Sequence, residues 1–214
     1  IPSYEEWTFD IMTSGSAEDD LWQSPGINFE AHYDESADVP TVYAGGWYDS
    51  YTKATCDNFE ALAELKDSDH YLLVGPWTHG WNTYPLPSWN KSYSGELEFG
   101  EEATMDYQRT RLDFFDHYLK GEDTWSDQAT VEFYQMGEGD GHRSRDGRLF
   151  HGGSWRSAHE WPLPDTEFTA FYAHGDGRLR TDAPTAADSQ TSYEFDPRNP
   201  VPTLGGNCSS YITY

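Results

Sequence analysis

The sequence predicts an α/β fold built on a parallel sheet. Two short apolar runs, residues 39–46 and 70–75, each end in glycine, which is typical of buried strands that lead into sharp turns. Residues 51–66, which lie between the two runs, carry apolar and polar side chains at helical spacing. A strand, a helix and a second strand at this spacing form a βαβ unit, so the two strands are expected to be parallel.

The middle of the chain predicts a long loop, a second helix and a third strand. Residues 77–100 are rich in Trp, Tyr, Pro and Asn and predict a loop, which at this length is often functional. Residues 101–120 predict a helix with a solvated charged face, and Gly121 is its expected C-cap. The apolar stripe of that helix is Met105, Leu112, Phe115 and Leu119. Residues 130–136 alternate like a strand, and the glycine-rich residues 137–153 predict an irregular excursion.

The two ends of the chain differ in character from the middle. Residues 1–35 predict short helices and loops, because they show no alternation of strand type. Beyond residue 164, the segments 167–173 and 191–195 predict strands of an antiparallel, turn-rich region with no helix between them. We therefore expect a domain boundary near residue 165.

The composition is strongly acidic. Asp and Glu number 38 against 13 Lys and Arg, and the formal net charge is −25. This charge disfavours binding to nucleic acid or to an anionic membrane surface. Acidic residues are spread along the whole chain and there are four lysines, Lys53, Lys66, Lys91 and Lys120. Two interpretations remain open, a salt-loving source and an ordinary acidic enzyme.

The two cysteines, Cys56 and Cys208, provide one possible pair and do not amount to a disulfide framework. No apolar run reaches the length of a membrane span. The sequence starts at Ile1 without a Met and ends at Tyr214 in mid-pattern, which predicts a fragment of a longer protein. Its location in the cell is open, and a cytoplasmic one is the working expectation.

Two candidate catalytic side chains follow the two predicted parallel strands. Asp49 comes three residues after the glycines of the first strand, and His79 comes four residues after Gly75. If the strands are neighbours, both side chains lie at the same sheet edge, where α/β proteins place their active sites. A carboxylate there can orient an imidazole that acts as a base. The spacing alone leaves an alternative of similar weight, in which Asp49 is a helix N-cap and His79 an ordinary polar residue.

The local motifs around these residues resemble the X-prolyl dipeptidyl-peptidase and cocaine-esterase-like hydrolases, the CocE/NonD group. Gly-Trp-Tyr-Asp at 46–49 and Gly-Pro-Trp-Thr-His-Gly at 75–80 are similar to the segments that carry the family's acid and base. Further similar motifs follow in the family's order. They lie at 99–100, 114–121, 131–137, 152–156 with 161–162, and 196–206. The resemblance covers about residues 39–206, and several matches in order are more specific than any single one.

The resemblance implies a fold and a division into domains. It implies the C-terminal part of an α/β-hydrolase core, followed by the start of a β jelly-roll-like domain. Residues 1–35 would be the end of a helical cap, 36–165 the core, and 166–214 the beginning of the β domain. The motif at 152–156 would belong to the link that leaves the core.

The resemblance also implies that Asp49 and His79 are the acid and base of a Ser/Asp/His triad, with no cofactor or metal. In α/β-hydrolases the serine precedes the acid along the chain. The sequence contains no Gly-x-Ser-x-Gly: Ser154 follows two glycines but is followed by Trp-Arg, and Ser16 and Ser209 lack the flanking glycines. The nucleophile and its oxyanion hole are therefore expected in the remainder of the protein, and the 214-residue chain alone is expected to be inactive.

Several other residues were weighed for a role at the site. Tyr51 is a candidate wall of the substrate pocket, although packing on the helix that it precedes is slightly favoured. Trp77 is expected to brace the histidine loop rather than to touch substrate. A metal site from His142, His151 and His159 is disfavoured, because their spacing matches no ligand pattern and the segment is rich in glycine.

The resulting functional hypothesis is a serine-type acyl hydrolase that acts on a small ester, amide or X-Pro peptide. One alternative is an α-amino-acid ester hydrolase or acylase, which shares the fold and triad. The other is a non-catalytic β-rich binding module on a degenerate hydrolase core. A binding module would not need both Asp49 and His79, so their geometry distinguishes the classes. The sequence leaves substrate and oligomeric state open.

Overall fold

The computed structural model describes residues 2–16, 18–79, 91–185 and 192–201. Within these ranges the α-helices are Pro2–Thr13 (α1), Thr52–Leu65 (α2) and Tyr107–Lys120 (α3), with 3₁₀ helices at Phe29–Glu35 and Glu101–Ala103. The strands in the same ranges are Thr41–Tyr48 (β1), His70–Thr78 (β2), Tyr93–Ser94 (β3), Leu97–Glu98 (β4), Val131–Met136 (β5), Leu149–Phe150 (β6), Gly153–Ala158 (β7), Tyr172–Ala173 (β8) and Leu179–Arg180 (β9).

The main sheet has four strands in the order β1-β2-β5-β7. Strand β1 is parallel to β2, with Thr41 level with His70, and β2 is parallel to β5. Strand β7 is antiparallel to β5. The predicted βαβ unit is therefore confirmed, and the fold is α/β with a mostly parallel sheet.

Helices pack on both faces of the main sheet, which is why the middle of β2 is apolar on both sides. On one face Phe59 of α2 packs against Leu72, Val74 and Val131. On the other face Leu73 and Trp77 of β2 pack against Tyr107, the first residue of α3. The buried side chains thus alternate along β2, as a strand between two layers requires.

The second predicted helix begins six residues later than expected. Residues 101–103 form a 3₁₀ turn that stops at the extended residue Thr104, and α3 begins only after Asp106. The Asp106 carboxylate accepts a hydrogen bond from the backbone N–H of Arg109, which caps the helix. The predicted C-cap is confirmed, because Gly121 adopts the left-handed conformation.

The predicted loop 77–100 and the irregular excursion 137–153 both contain strands within their described residues. β3 and β4 form a hairpin, and β6 pairs with β4 in a parallel fashion to give a three-stranded sheet. Phe99 and Leu97 bury their side chains against Tyr134 of β5. This small sheet therefore covers one face of the main sheet near the ends of β1, β2 and β5. Residues 80–90 of the loop lie outside the described residues.

The motif at 152–156 does not leave the core, which corrects the expectation of a link. Residues 153–158 form β7, the fourth strand of the main sheet. Its pairing runs from Val131 opposite Ala158 to Met136 opposite Gly153, and the ring of Trp155 packs edge-on against Tyr134. Packing on the sheet therefore keeps this segment in the core.

The last part of the chain contains less strand than predicted. Of residues 167–173 the structure places two in a strand, β8, which pairs with β9. Residues 192–195, the described part of the second predicted strand, form none. Because Phe168, Phe171 and Tyr193 are exposed, this region lacks the buried face that would hold longer strands together. The jelly-roll-like domain and the boundary near residue 165 stay predictions.

In the ranges that the structure describes, no helix is both long enough and apolar enough to span a membrane. The motif residues 202–206, together with Cys208 and Ser209, lie outside those ranges.

Candidate functional site

The ends of two neighbouring parallel strands bring Asp49 and His79 together. Asp49 follows the last residue of β1, and His79 follows the last residue of β2. The register of the two strands shifts by one residue near these ends, since Gly46 is level with Gly75 but Tyr48 is level with Thr78. The shift makes Asp49 and His79 neighbours across the sheet edge, although 30 residues separate them in the chain.

A hydrogen bond joins the two side chains. His79 Nδ1 lies 2.9 Å from Asp49 Oδ2. The second carboxylate oxygen, Oδ1, accepts a hydrogen bond of 2.9 Å from the backbone N–H of Tyr51. The side chain of Asp49 is 9% exposed and that of His79 is 34% exposed. A buried, oriented acid thus supports an imidazole that solvent and ligands can reach.

The backbone around Asp49 is held by a tight turn between β1 and α2. The N–H of Asp49 donates to the carbonyl of Gly46 at 3.0 Å, and the N–H of Thr52 donates to the carbonyl of Asp49 at 3.3 Å. The Thr52 hydroxyl also donates to both of these carbonyls. Thr52 was missed in the sequence analysis, although a Thr three residues after an Asp at a helix start could have indicated such a turn.

This arrangement suits general base chemistry. When Nδ1–H donates to the carboxylate, Nε2 carries the lone pair and can take a proton. Among the described residues no group makes a hydrogen bond to Nε2. The carboxylate also stabilises the imidazolium that forms when Nε2 is protonated.

The ring of Tyr51 lies on the imidazole. The two ring centroids are 4.9 Å apart with an interplanar angle of 59°, and Tyr51 is 55% exposed. Tyr51 also sits directly before α2 as its N-cap residue, where its carbonyl accepts from the N–H of Thr55. The structure therefore places Tyr51 beside His79 at the open side of the site.

Trp77 lies inside β2 with its side chain 1% exposed, so it does not face the surface of the site. Its indole N–H donates to the carbonyl of Ala103 at 3.0 Å, and its ring packs against Trp155. This position agrees with the expected bracing role, two residues before His79.

Tyr48 precedes the acid in the chain and extends its side chain toward β5. Its ring packs against Phe99, and its hydroxyl donates to Met136 Sδ at 3.1 Å. Burial raises the pKa of Tyr48, so the phenol stays protonated at neutral pH.

The three histidines weighed for a metal site have separate partners. His142 stacks on Phe150 and binds Asp140, while His151 Nδ1 lies 3.2 Å from the carbonyl of Gly137. His159 lines a different cleft, at the opposite end of β2. Within the described ranges no group of three or more His, Cys, Asp or Glu side chains could hold a metal ion.

Two of the candidate serines, Ser154 and Ser16, are described in the structure, and neither is bonded to this pair. Ser154 lies in β7, at the sheet edge opposite β1, and its backbone pairs with Gln135. Ser16 lies in the loop after α1, where its hydroxyl accepts from the backbone N–H of Glu18. Neither supplies a hydroxyl to His79.

Comparison with known proteins agrees with these observations. The family model described as X-Pro dipeptidyl-peptidase (S15 family) matches residues 3–81, which include both Asp49 and His79. Cocaine esterase from Rhodococcus sp. (strain MB1 Bresler) is 29% identical over 212 residues, which cover 94% of this chain and 32% of the esterase. This chain therefore spans about a third of the length of that relative.

A solved structure is also similar. It is a CocE/NonD family hydrolase from Staphylococcus aureus, 21% identical, with a TM-score of 0.43 over 77% of this chain and 24% of that one. The matched family model and the similarity to the esterase agree with the motifs of the sequence. Over residues 3–81 the chain is therefore similar to the X-Pro dipeptidyl-peptidase (S15) family, and over most of its length it is similar to cocaine esterase.

Proposed function

We propose that this chain supplies the acid and the base of a serine-type acyl hydrolase, with Asp49 and His79 as two members of its triad. The observation that carries the proposal is the 2.9 Å hydrogen bond between Asp49 Oδ2 and His79 Nδ1 at the ends of adjacent parallel strands. Ester or X-Pro amide bonds are the proposed substrates.

The proposed reaction has two steps. His79 Nε2 removes the proton of a serine hydroxyl while the oxygen attacks the substrate carbonyl, and the imidazolium then protonates the leaving alcohol or amine. Water, deprotonated by the same nitrogen, attacks the acyl-enzyme, and the proton returns to the serine. Asp49 holds the imidazole in the required tautomer throughout. Every proton is carried by side chains, so the proposal includes no cofactor.

The serine is proposed to come from the remainder of the protein, because the 214 residues contain no Gly-x-Ser-x-Gly. The surface beside β1 supports this proposal. Among the described strands β1 pairs with β2 alone, so its other edge is open. Beside that edge an apolar groove of about 430 Å³ runs between β1 and α3. Its lining includes Val42, Ala44, Tyr107, Phe114 and Phe115.

The proposed partner at this groove is the remainder of the same protein rather than nucleic acid or a membrane. The edge of a parallel strand and the apolar side chains beside it are normally covered in α/β folds. An additional strand from the rest of the protein would pair with the open edge of β1, and an additional helix would cover the apolar groove. These elements would also bring the proposed serine to the same sheet edge as Asp49 and His79.

Two alternatives stand beside this proposal. An α-amino-acid ester hydrolase or acylase would use the same pair of residues on a different acyl group. A non-catalytic β-rich binding module would have no use for a buried acid that orients a half-exposed imidazole. The hydrogen-bonded pair therefore favours the proposed acyl hydrolase and the α-amino-acid ester hydrolase or acylase over the binding module.

The test compares this chain with the complete protein that contains it. The 214-residue chain alone is expected not to hydrolyse an aryl ester. The complete protein is expected to hydrolyse one, and kcat should fall by about 10⁶-fold in His79→Ala and by about 10⁴-fold in Asp49→Asn. His142→Ala, a change in an exposed loop, is the matched control and should leave kcat unchanged.

Two results would contradict the proposal. One is turnover by the 214-residue chain that His79→Ala abolishes, because the serine would then lie inside it. The other is full activity of the complete His79→Ala protein. Comparing kcat/KM on X-Pro amides, simple esters and α-amino-acid esters then identifies the substrate class.

A further inference from the structure

The register shift at the end of β2 decides where His79 lies. Between Gly75 and Thr78 strand β2 contains one residue more than the matching part of β1, from Gly46 to Tyr48. Without this extra residue Asp49 would be level with Thr78 rather than with His79. A strand advances about 3.3 Å per residue, so a slip of one residue would exceed the length of the Asp49–His79 hydrogen bond.

Two side-chain hydrogen bonds hold the shifted segment from outside the strand. The buried indole N–H of Trp77 donates to the carbonyl of Ala103 at 3.0 Å. The buried hydroxyl of Ser94 donates to the carbonyl of Pro76 at 2.5 Å. The two bonds involve Pro76 and Trp77, the residues at which the register of β2 shifts. Because both hydrogen bonds lie in the interior, breaking either one costs more free energy than breaking an exposed bond.

Ala103 provides a firm anchor for Trp77. It lies fully buried at the end of the 3₁₀ helix Glu101–Ala103. The backbone N–H of Ala103 donates a hydrogen bond to the carbonyl of Gly100. The preceding carbonyl, of Glu102, accepts a 2.7 Å hydrogen bond from the indole of Trp155 in β7. Two tryptophans from β2 and β7, whose rings are in contact, thus donate to adjacent carbonyls of one short helix.

From these contacts we infer that Trp77 and Ser94 are positioning residues, which set the register of β2 so that His79 meets Asp49. The inference rests on the proposed function, because the position of His79 matters for turnover only if His79 is the base. Neither residue touches the imidazole, and both act through the backbone of residues 76–78.

The test follows an NMR resonance that depends on the Asp49–His79 hydrogen bond and not only on the folding of the chain. In the 214-residue chain labelled with ¹⁵N-histidine, the hydrogen-bonded Nδ1 proton of His79 should give a far-downfield resonance that exchanges slowly with water. Trp77→Phe keeps an aromatic ring and removes the indole donor, and Ser94→Ala removes the hydroxyl. Each should speed exchange of this proton at least about tenfold.

Trp155→Phe is the matched control. It removes an indole hydrogen bond to the same 3₁₀ helix, in a more exposed position, and leaves the Trp77–Ala103 and Ser94–Pro76 bonds in place, so the resonance should stay. If Trp77→Phe does not fold, Ser94→Ala provides the test. Slow exchange retained in Trp77→Phe and Ser94→Ala, or lost equally in Trp155→Phe, would overturn the inference.

Kinetics on the complete protein separate this inference from the proposed function. Trp77→Phe and Ser94→Ala should lower kcat about 10- to 100-fold, while KM changes less than about twofold, because the base is misplaced and the binding surface is unchanged. If the resonance responds as expected but the wild-type complete protein hydrolyses nothing, the positioning role stands and the hydrolase proposal fails. A wild-type chain without the downfield resonance would contradict the role of both residues.

Discussion

Gly46 and Gly75 lie opposite each other in β1 and β2, and neither position has space for a side chain. A Cβ on Gly46 would lie 2.1 Å from the carbonyl oxygen of Trp77. A Cβ on Gly75 would lie 2.3 Å from the Trp77 indole. The close approach of the two strands just before Asp49 and His79 therefore depends on Gly46, while Gly75 leaves room for the Trp77 ring of its own strand.

Gly46→Ala is expected to lower the free energy of unfolding by about 3 kcal/mol, because the added methyl meets backbone that cannot move aside. Gly45→Ala is the matched control, since its nearest neighbour is the side chain of Thr55 at 3.2 Å, which can shift. We expect Gly45→Ala to cost less than about 1 kcal/mol. Urea unfolding of the three proteins measures both values, and equal losses would contradict the role of the backbone contact.

A pH dependence of stability follows from His70. This histidine is buried, bonds to the Tyr43 hydroxyl at 2.9 Å, and has its pKa lowered by burial despite the nearby carboxylates of Asp38 and Asp69. The unfolded chain therefore binds the proton more readily than the folded one. The stabilisation is present above the ordinary histidine pKa of about 6.5 and is lost as pH falls through the lower folded value.

His70→Gln should therefore flatten the decline of the melting temperature between about pH 6.5 and pH 5, whatever it costs at pH 8. The same change at His32, whose pKa is raised chiefly by the carbonyl of Gln23, should leave that decline in place. Melting curves across this range supply the measurement, and a His70→Gln protein that declines as steeply as the wild type would contradict the prediction.

Cys56 is expected to react slowly with alkylating reagents. It lies in α2, and burial, helped by Asp57 and Glu60, raises the pKa of its thiol to about 11. At pH 8 only about one thiol in a thousand would be the reactive thiolate. Peptide mapping after iodoacetamide should show little modification of Cys56 in the native chain and rapid modification in urea. Equal rates in both states would refute this.

Salt is expected to stabilise the chain. With 38 acidic against 13 basic residues, the folded state carries strong self-repulsion that is screened as the Debye length shortens from about 10 Å at 0.1 M to about 3 Å at 1 M salt. The melting temperature should rise steadily with KCl, and more than with sucrose at equal osmolality. A melting temperature independent of salt would favour an ordinary acidic enzyme over a salt-adapted one.

Tyr51 is expected to contribute its ring rather than its hydroxyl. In the complete protein, Tyr51→Ala should lower kcat/KM about 10-fold, because it removes the ring that lies 4.9 Å from the imidazole. Tyr51→Phe keeps the ring and should stay within about twofold of the wild type. Steady-state kinetics on one ester measure the difference, and equal losses in both variants would assign the effect to the hydroxyl instead.

Much of the core could be predicted from sequence because its signals are local. Apolar runs that end in glycine predicted β1 and β2, and helical spacing predicted α2. Predictions failed where packing between distant segments decided the outcome. β7 resembles a link out of the core in sequence, because its partner, β5, lies on the far side of a glycine-rich excursion. The start of α3 was misplaced because Asp106, rather than the apolar stripe, determines it.

The sequence by itself determined which residues could serve as acid and base, and in which order they follow the strands. The order Asp49 then His79, and the surrounding motifs, are properties of the chain that need no coordinates. Only the tertiary structure decided that the two groups bond, that Tyr51 lies on the imidazole, and that Trp77 and Ser94 hold the shifted strand. The physical reason is that local patterns encode burial and backbone preference, whereas a hydrogen bond across 30 residues depends on the relative register of two strands.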